Sequence, residues 1–240
     1  MIRWVYAFVD RPRDRFDAAA AFWTAVTDTT LSAPRGADGE FATFLPNGGE
    51  DAFLKLQAVG EGNGSHLDLA VERPRALADD AVALGAEVVA EHGAWVVLRS
   101  PAGQLFCAVP WHREYRRPPV FAGTRVDQVT IDIPAEAYEA ETEFWTELTG
   151  WTVDKGSRQE FRVVQSPAEL PVRLLLHRLD EPRPTGAHLD LACADRWATR
   201  EAHEALGATF VAEHGNWIVM RDPADGIYCL TGRNPVTGTL

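Results

Sequence analysis

Cysteine is scarce. Cys107, Cys193 and Cys229 are the three in 240 residues, an odd number that makes no disulfide framework. No apolar run approaches the roughly 20 residues that span a bilayer. The N-terminal stretch from Met1 to Tyr6 runs straight into Asp10, Arg11 and Arg13, so it lacks the apolar core of a signal peptide. The expectation is a cytoplasmic protein with no membrane partner. Lysine is almost missing: Lys55 and Lys155 stand alone, and every other basic residue is arginine. Positive charge is short overall, with 23 Lys and Arg against 35 Asp and Glu, a net charge of −12. That deficit argues against nucleic acid, whose phosphates need a basic face. It serves solubility and would suit a cationic ligand.

What is present is a repeat. The string His66-Leu67-Asp68-Leu69-Ala70 returns 122 residues on (188 less 66) as His188-Leu189-Asp190-Leu191-Ala192. At the same offset Phe22-Trp23-Thr24 returns as Phe144-Trp145-Thr146, Leu84-Gly85-Ala86 as Leu206-Gly207-Ala208, and Ala90-Glu91-His92-Gly93 as Ala212-Glu213-His214-Gly215. Trp95 returns as Trp217, Pro101 as Pro223 and Cys107 as Cys229. Glu40-Phe41 matches Glu160-Phe161 at a slightly shorter offset, so small insertions and deletions sit in the loops. The period is far longer than a solenoid unit, which makes each copy a domain. Pro110 to Thr124 has no counterpart, and its paired prolines, charges and glycine read as a linker. The expected organisation is domain one over 1–111, a linker over 112–123 and domain two over 124–234.

Within each copy strand and helix periodicities alternate. Trp4 to Val9 reads as a strand and Phe16 to Val26 as a helix. Short strands follow over Glu40–Leu45 and Phe53–Val59, around the Asn47-Gly48-Gly49 turn. His66–Val71 is a strand, and Arg75–Leu84 an alanine-rich helix closed by Gly85 at C′. Val88–Ala90, Trp95–Arg99 and Leu105–Val109 complete the copy. The order is βαβββ twice per copy, an α+β pattern with too few helices for a doubly wound parallel sheet.

The segments HLDLAV…ALGAEVVAEHGAWVVLRSPAGQLFCAV and HLDLAC…ALGATFVAEHGNWIVMRDPADGIYCL, with QVTIDI…FWTELTGW, resemble the glyoxalase-like domains of the vicinal oxygen chelate superfamily, which also holds bleomycin-resistance proteins and dioxygenases. The resemblance covers nearly the whole chain. It implies paired βαβββ modules curling into a half-barrel around a ligand cavity. It names no reaction, because relatives include lyases, isomerases, ring-cleaving dioxygenases, epimerases and antibiotic-sequestering proteins.

The resemblance also implies where a metal would sit. Metal-dependent relatives place ligands in the first strand, in the strand opening the second module and, usually as glutamate, in the last strand. Those places hold Tyr6, His66 and Cys107 in the first copy, and Gln128, His188 and Cys229 in the second. Tyrosine is a poor ligand for a catalytic divalent ion, and a cysteine between apolar neighbours is more often a small core residue than a ligand. The expectation is therefore no metal cofactor. If a divalent ion binds at all, Gln128, His188 and Cys229 hold it, and the thiolate and imidazole favour zinc.

Strand alternation puts His66 with Asp68, His188 with Asp190, Tyr6 with Phe8 and Asp10, and Gln128 with Thr130 and Asp132. The family's ligand positions face the cavity, so these faces should too. Each His-x-Asp pair reads either as a general base held by a carboxylate or as a hydrogen-bonded structural pair. Trp95 and Trp217 read as cavity walls or as core, Trp23 and Trp145 as core, and His92 and His214 as solvated turn residues. The leading expectation is a metal-independent small-molecule binding protein, for sequestration or resistance. The alternative is a lyase, isomerase or dioxygenase-type enzyme with His188, Asp190 and Gln128 as its catalytic residues. Ligand contacts would then come from Tyr6, His66, Asp68, Trp95, Cys107, Trp217 and Cys229. A third reading is a scaffold in which one copy merely completes the other. Single-domain relatives pair to complete their cavities, so the fused chain is expected as a monomer or a homodimer.

Overall fold

The computed structural model describes all residues, 1–240. The first copy runs β1 (Trp4–Pro12), α1 (Phe16–Thr27), β2 (Thr29–Leu31), β3 (Phe41–Pro46), β4 (Leu54–Val59), β5 (Leu67–Val71), α2 (Pro74–Ala83), β6 (Glu87–His92), β7 (Trp95–Arg99) and β8 (Leu105–Pro110). The second runs β9 (Thr124–Pro134), α3 (Tyr138–Thr149), β10 (Thr152–Lys155), β11 (Phe161–Gln165), β12 (Arg173–Leu179), β13 (Gly186–Cys193), α4 (Arg196–Ala205), β14 (Thr209–His214), β15 (Trp217–Arg221) and β16 (Ile227–Thr231). Each is βαβββ twice over. Short β2 escapes a periodicity reading because three residues cannot display a period.

Each copy forms one eight-stranded sheet, in the order β2-β3-β4-β1-β5-β8-β7-β6 and β10-β11-β12-β9-β13-β16-β15-β14. The sheets are mixed: β5 pairs with β8, and β13 with β16, in parallel, while β1–β5, β7–β8 and β15–β16 are antiparallel. The architecture is α+β, two tandem domains with no closed barrel. No helix is long and apolar enough to cross a membrane.

Local sequence explains the boundaries. Helix α1 ends on Asp28 in the left-handed region, φ 50°, and its repeat partner α3 ends on Gly150 at φ 65°. The same backbone is needed in both, and glycine supplies it without the Cβ penalty. Helix α4 is capped by Asp195, whose carboxylate accepts from the amides of Trp197 and Ala198. Helix α2 has no side-chain cap and begins instead on Pro74, whose missing N–H removes one orphan donor.

Chain contacts group the residues into two compact units. One comprises Met1–Ala7, His66–Tyr115 and Val129–Ala187; the other comprises Phe8–Ser65, Arg116–Gln128 and His188–Leu240. Each unit thus holds the second module of one copy and the first module of the other. In the first unit Phe106, Phe144 and Trp145 pack edge to face, with centroids 5.1 to 5.8 Å apart. In the second, Phe22, Trp23 and Tyr228 form the matching cluster. Edge-to-face packing of this kind suits the ring quadrupoles and fills the core.

Candidate functional site

Strand register assembles the site. In the first unit Tyr6 of β1 lies opposite Asp68 of β5, and Asp68 lies opposite Cys107 of β8. In the second unit Asp190 of β13 lies opposite Cys229 of β16. Residues opposite one another on adjacent strands share a face and touch. A histidine two residues before each aspartate falls on that same face. His66, Asp68 and Cys107, and likewise His188, Asp190 and Cys229, therefore bring their side-chain ligand atoms within 4.8 Å of one another.

The second cluster is the tighter. His188 Nε2 lies 3.3 Å from Asp190 Oδ1 and 3.5 Å from Cys229 Sγ. The amide of Gln128 donates to Asp190 Oδ2 across 2.5 Å. Asp190 is 3% exposed and Gln128 1%. One carboxylate oxygen is thus held by an amide, and an imidazole stands beside the other. Both contacts of His188 fall on the same ring nitrogen, Nε2. A nucleophilic triad needs the acid on one nitrogen and the nucleophile on the other, so this is not that arrangement.

The first cluster is looser. His66 Nε2 stands 3.8 Å from Asp68 Oδ1. Tyr6 donates its hydroxyl to Glu114 Oε1, and Glu114 Oε2 accepts from the backbone of His112. The indole of Trp111 also donates to the Glu114 carbonyl. The segment after β8 is thereby tied onto Tyr6. Glu114 was invisible in the sequence because it lies in the one stretch without a repeat partner.

The tryptophans divide. Trp23 and Trp145 are wholly buried, and their indoles donate to Asp222 and Glu141. Trp95 is 41% exposed and stacks on exposed His92, ring centroids 4.7 Å apart. Trp217 stacks on His214 in the same way at 5.1 Å. Each pair closes its own hairpin, with His92 opposite Trp95 and His214 opposite Trp217. None of these four residues belongs to the His-Asp-Cys clusters.

A further polar group lies in the first unit. Asp132 of β9 takes His177 Nδ1 on Oδ1 at 2.7 Å and Arg183 Nη2 on Oδ2 at 2.9 Å. Alternation along β9 places Asp132 on a polar face; no motif marks His177 in β12 or Arg183 in the loop after it.

A family model described as glyoxalase-like domain matches residues 7–109 and again 128–231. No curated protein matches the chain. Among solved structures, the chain is similar to 2,2',3-trihydroxybiphenyl 1,2-dioxygenase from Sphingomonas wittichii, at 14% identity and a TM-score of 0.65, covering 100% of this chain and 93% of that one. It is similar to a mutant 4-hydroxymandelate synthase from Streptomyces coelicolor, at 13% identity and a TM-score of 0.62, covering 94% and 90%. A variant of homoprotocatechuate 2,3-dioxygenase from B. fuscum aligns at 11% identity and a TM-score of 0.63, covering 98% and 72%. At such identities the likeness is one of fold.

Proposed function

Because the chain belongs to the glyoxalase-like domain family in both of its halves, we propose that it binds a small organic molecule at the polar face around Gln128, His188 and Asp190, without the iron chemistry of ring-cleaving enzymes. The supporting observation is the buried hydrogen bond from Gln128 to Asp190, with His188 Nε2 standing 3.3 Å from the other carboxylate oxygen and 3.5 Å from Cys229 Sγ. Non-haem iron oxygenases hold their metal with two histidines and one carboxylate on one face. Here the first-strand place is an amide, the last-strand place is a thiol, and a single histidine remains. That donor set does not fit the iron triad. The His188 imidazole, 15% exposed at its side chain above the buried Gln128 and Asp190, instead offers a ligand a fixed polar edge on a stiff sheet, as a binding site requires.

A second reading rests on distance. Tetrahedral zinc with a nitrogen near 2.1 Å and a sulfur near 2.3 Å sets those atoms about 3.6 Å apart, and nitrogen and oxygen ligands about 3.4 Å apart. The separations around His188 Nε2 are 3.5 and 3.3 Å. His188, Asp190 and Cys229 would hold the ion, and Gln128 would orient the aspartate from behind. Bound zinc would supply Lewis acidity to a ligand oxygen.

Elemental analysis of protein purified without added metal separates the two readings. The first expects substoichiometric metal, together with thermal stabilisation by members of a panel of planar and cationic compounds. One zinc per chain, lost in H188A, replaces it with the second. Oxygen-dependent cleavage of a catechol by the purified protein would refute the first reading outright.

A further inference from the structure

The Asp132, His177 and Arg183 group stands apart from the cysteine-containing clusters and does not depend on the reading above. Asp132 is 9% exposed at its side chain, whereas His177 is 30% and Arg183 54% exposed. A buried carboxylate thus holds two more exposed groups by their inner ends. The bond to Asp132 uses His177 Nδ1. In the neutral ring this fixes the proton on Nδ1 and leaves Nε2 as the acceptor edge. Phe161 of β11, opposite His177 in the register, lies against its ring with centroids 5.0 Å apart. The outer surface therefore combines an imidazole edge and a guanidinium, over the buried ring of Phe161.

The charges balance. Asp132 cancels Arg183, so with His177 neutral the group carries no net charge, and one proton on His177 makes it +1. The charged groups on the face of His177 are Asp132 from β9, with Arg183 of the following loop bound to it, and farther along the sheet Asp154 of β10 and Arg173 of β12. On β11 and β12 the neighbours Glu160, Arg162 and Arg178 alternate to the opposite face, where they act on Tyr138 of α3. The net charge of −12 repels anions at long range, but physiological salt screens it beyond about 8 Å.

We propose that Asp132, His177 and Arg183 form a binding site for small carboxylates, which His177 engages in its protonated form. Arg183 pairs with one carboxylate oxygen. Protonated His177 donates from Nε2 to the other. Asp132 is a positioning residue, since it acts through the other two. As a structural device alone, the group would tie the loop to β9 and bind nothing.

Isothermal titration with benzoate tests this, with benzamide as the uncharged isostere. Benzoate is expected to bind more tightly at lower pH, with net proton uptake read by repeating the titration in buffers of different ionisation heat. Benzamide is expected to bind at least about tenfold more weakly, the scale of one charge-assisted hydrogen bond. H177Q should lose a similar factor and abolish the pH dependence; R183Q should lose affinity but keep it. Circular dichroism and melting of each variant establish that it is folded. Failure of benzoate to bind the folded wild type overturns the proposal. So does binding that is indifferent to pH or unchanged in H177Q. None of these outcomes touches the Gln128 and His188 cluster, which H188A probes separately.

Discussion

Arg11 and Asp222 are buried against each other in the second unit, Nη2 2.6 Å from Oδ2, with 2% and 0% of their side chains exposed. The guanidinium also donates to the carbonyls of Asp10 and Gly64. The carboxylate accepts the indole of Trp23 and the amides of Ala224 and Gly226. Every strong donor and acceptor is thus paired, the condition under which a buried ion pair is tolerated. Removing one partner strands the other charge. R11M is expected to cost about 3–5 kcal/mol, read by urea denaturation. R11M/D222N should recover part of that loss, because it leaves no buried charge. G226A should also destabilise, since a Cβ there would sit 1.7 Å from Arg11 Nη2.

The first unit solves the same problem differently. By the repeat, Asp222 corresponds to Ser100, Trp23 to Trp145, and Arg11 to Ile133. The buried acid is instead Glu141 on α3, which accepts from Ser100 Oγ, the Ala102 amide and the Trp145 indole. No arginine stands at the matching place. Burial therefore pushes the Glu141 carboxyl above the ordinary glutamate range, against the pull of its three hydrogen bonds. A carboxyl raised on folding binds its proton more tightly in the native state. Stability is then highest below the ordinary glutamate value and falls as pH rises to the folded one, above which it levels off. E141Q should flatten that part of the stability–pH curve.

The repeat, the fold class and the residues of both His-Asp-Cys clusters were legible because motif spacing and strand alternation are sequence properties. Helix ends were legible where glycine marked them, as at Gly85, which has φ +100°. The buried acids were not. Asp222 in Arg-Asp-Pro-Ala-Asp-Gly reads as an ordinary turn residue, and Glu141 as a solvated face of α3. Only packing reveals that each turns inward onto a tryptophan. His177 and Glu114 were hidden for a related reason: their partners, Asp132 and Tyr6, lie 45 and 108 residues away.

His203 gives the opposite pH response from the second unit. Its Nδ1 lies 3.0 Å from the Tyr228 hydroxyl, and burial lowers its pKa to about 4. The native state therefore refuses a proton that the unfolded chain accepts near 6.5. Stability is complete above that value, is lost as pH falls, and stops falling below about 4. H203Q should abolish this acid limb, measured as melting temperature from pH 7 to 4. An unaltered limb in H203Q would rule out His203 as its source.

The Cys193 thiol should be silent in the native protein. Cys107, Cys193 and Cys229 are all buried, and burial pushes the Cys193 thiol up to about 12. Thiolate is the reactive form, so it is scarce at neutral pH. A disulfide-exchange reagent should titrate no Cys193 until denaturant is added, and then all three thiols at once. Rapid native labelling assigned to Cys193 by mass spectrometry would contradict the packing.

The family's metal places can be refilled. Gln128 bonds to Asp190, and Asp190 lies opposite Cys229, so all three stand on adjacent strands beside His188. Q128H/C229E would put two imidazoles and a carboxylate on that face, the set that non-haem iron sites use. The substitutions also break the existing cluster, because Asp190 loses the Gln128 amide and a longer acid replaces a buried thiol. The apo variant is therefore expected to be less stable than wild type by about 1–3 kcal/mol, the cost of an unsatisfied buried group. Divalent iron or manganese should restore it, since a ligand at 100 times its dissociation constant stabilises by about 2.7 kcal/mol. Wild type, with one histidine and an amide in those places, should show no such rescue by either ion. Anaerobic melting curves with and without metal read both arms. Equal stabilisation of wild type and variant would mean that the native cluster already binds these ions, and the metal-free reading would fall.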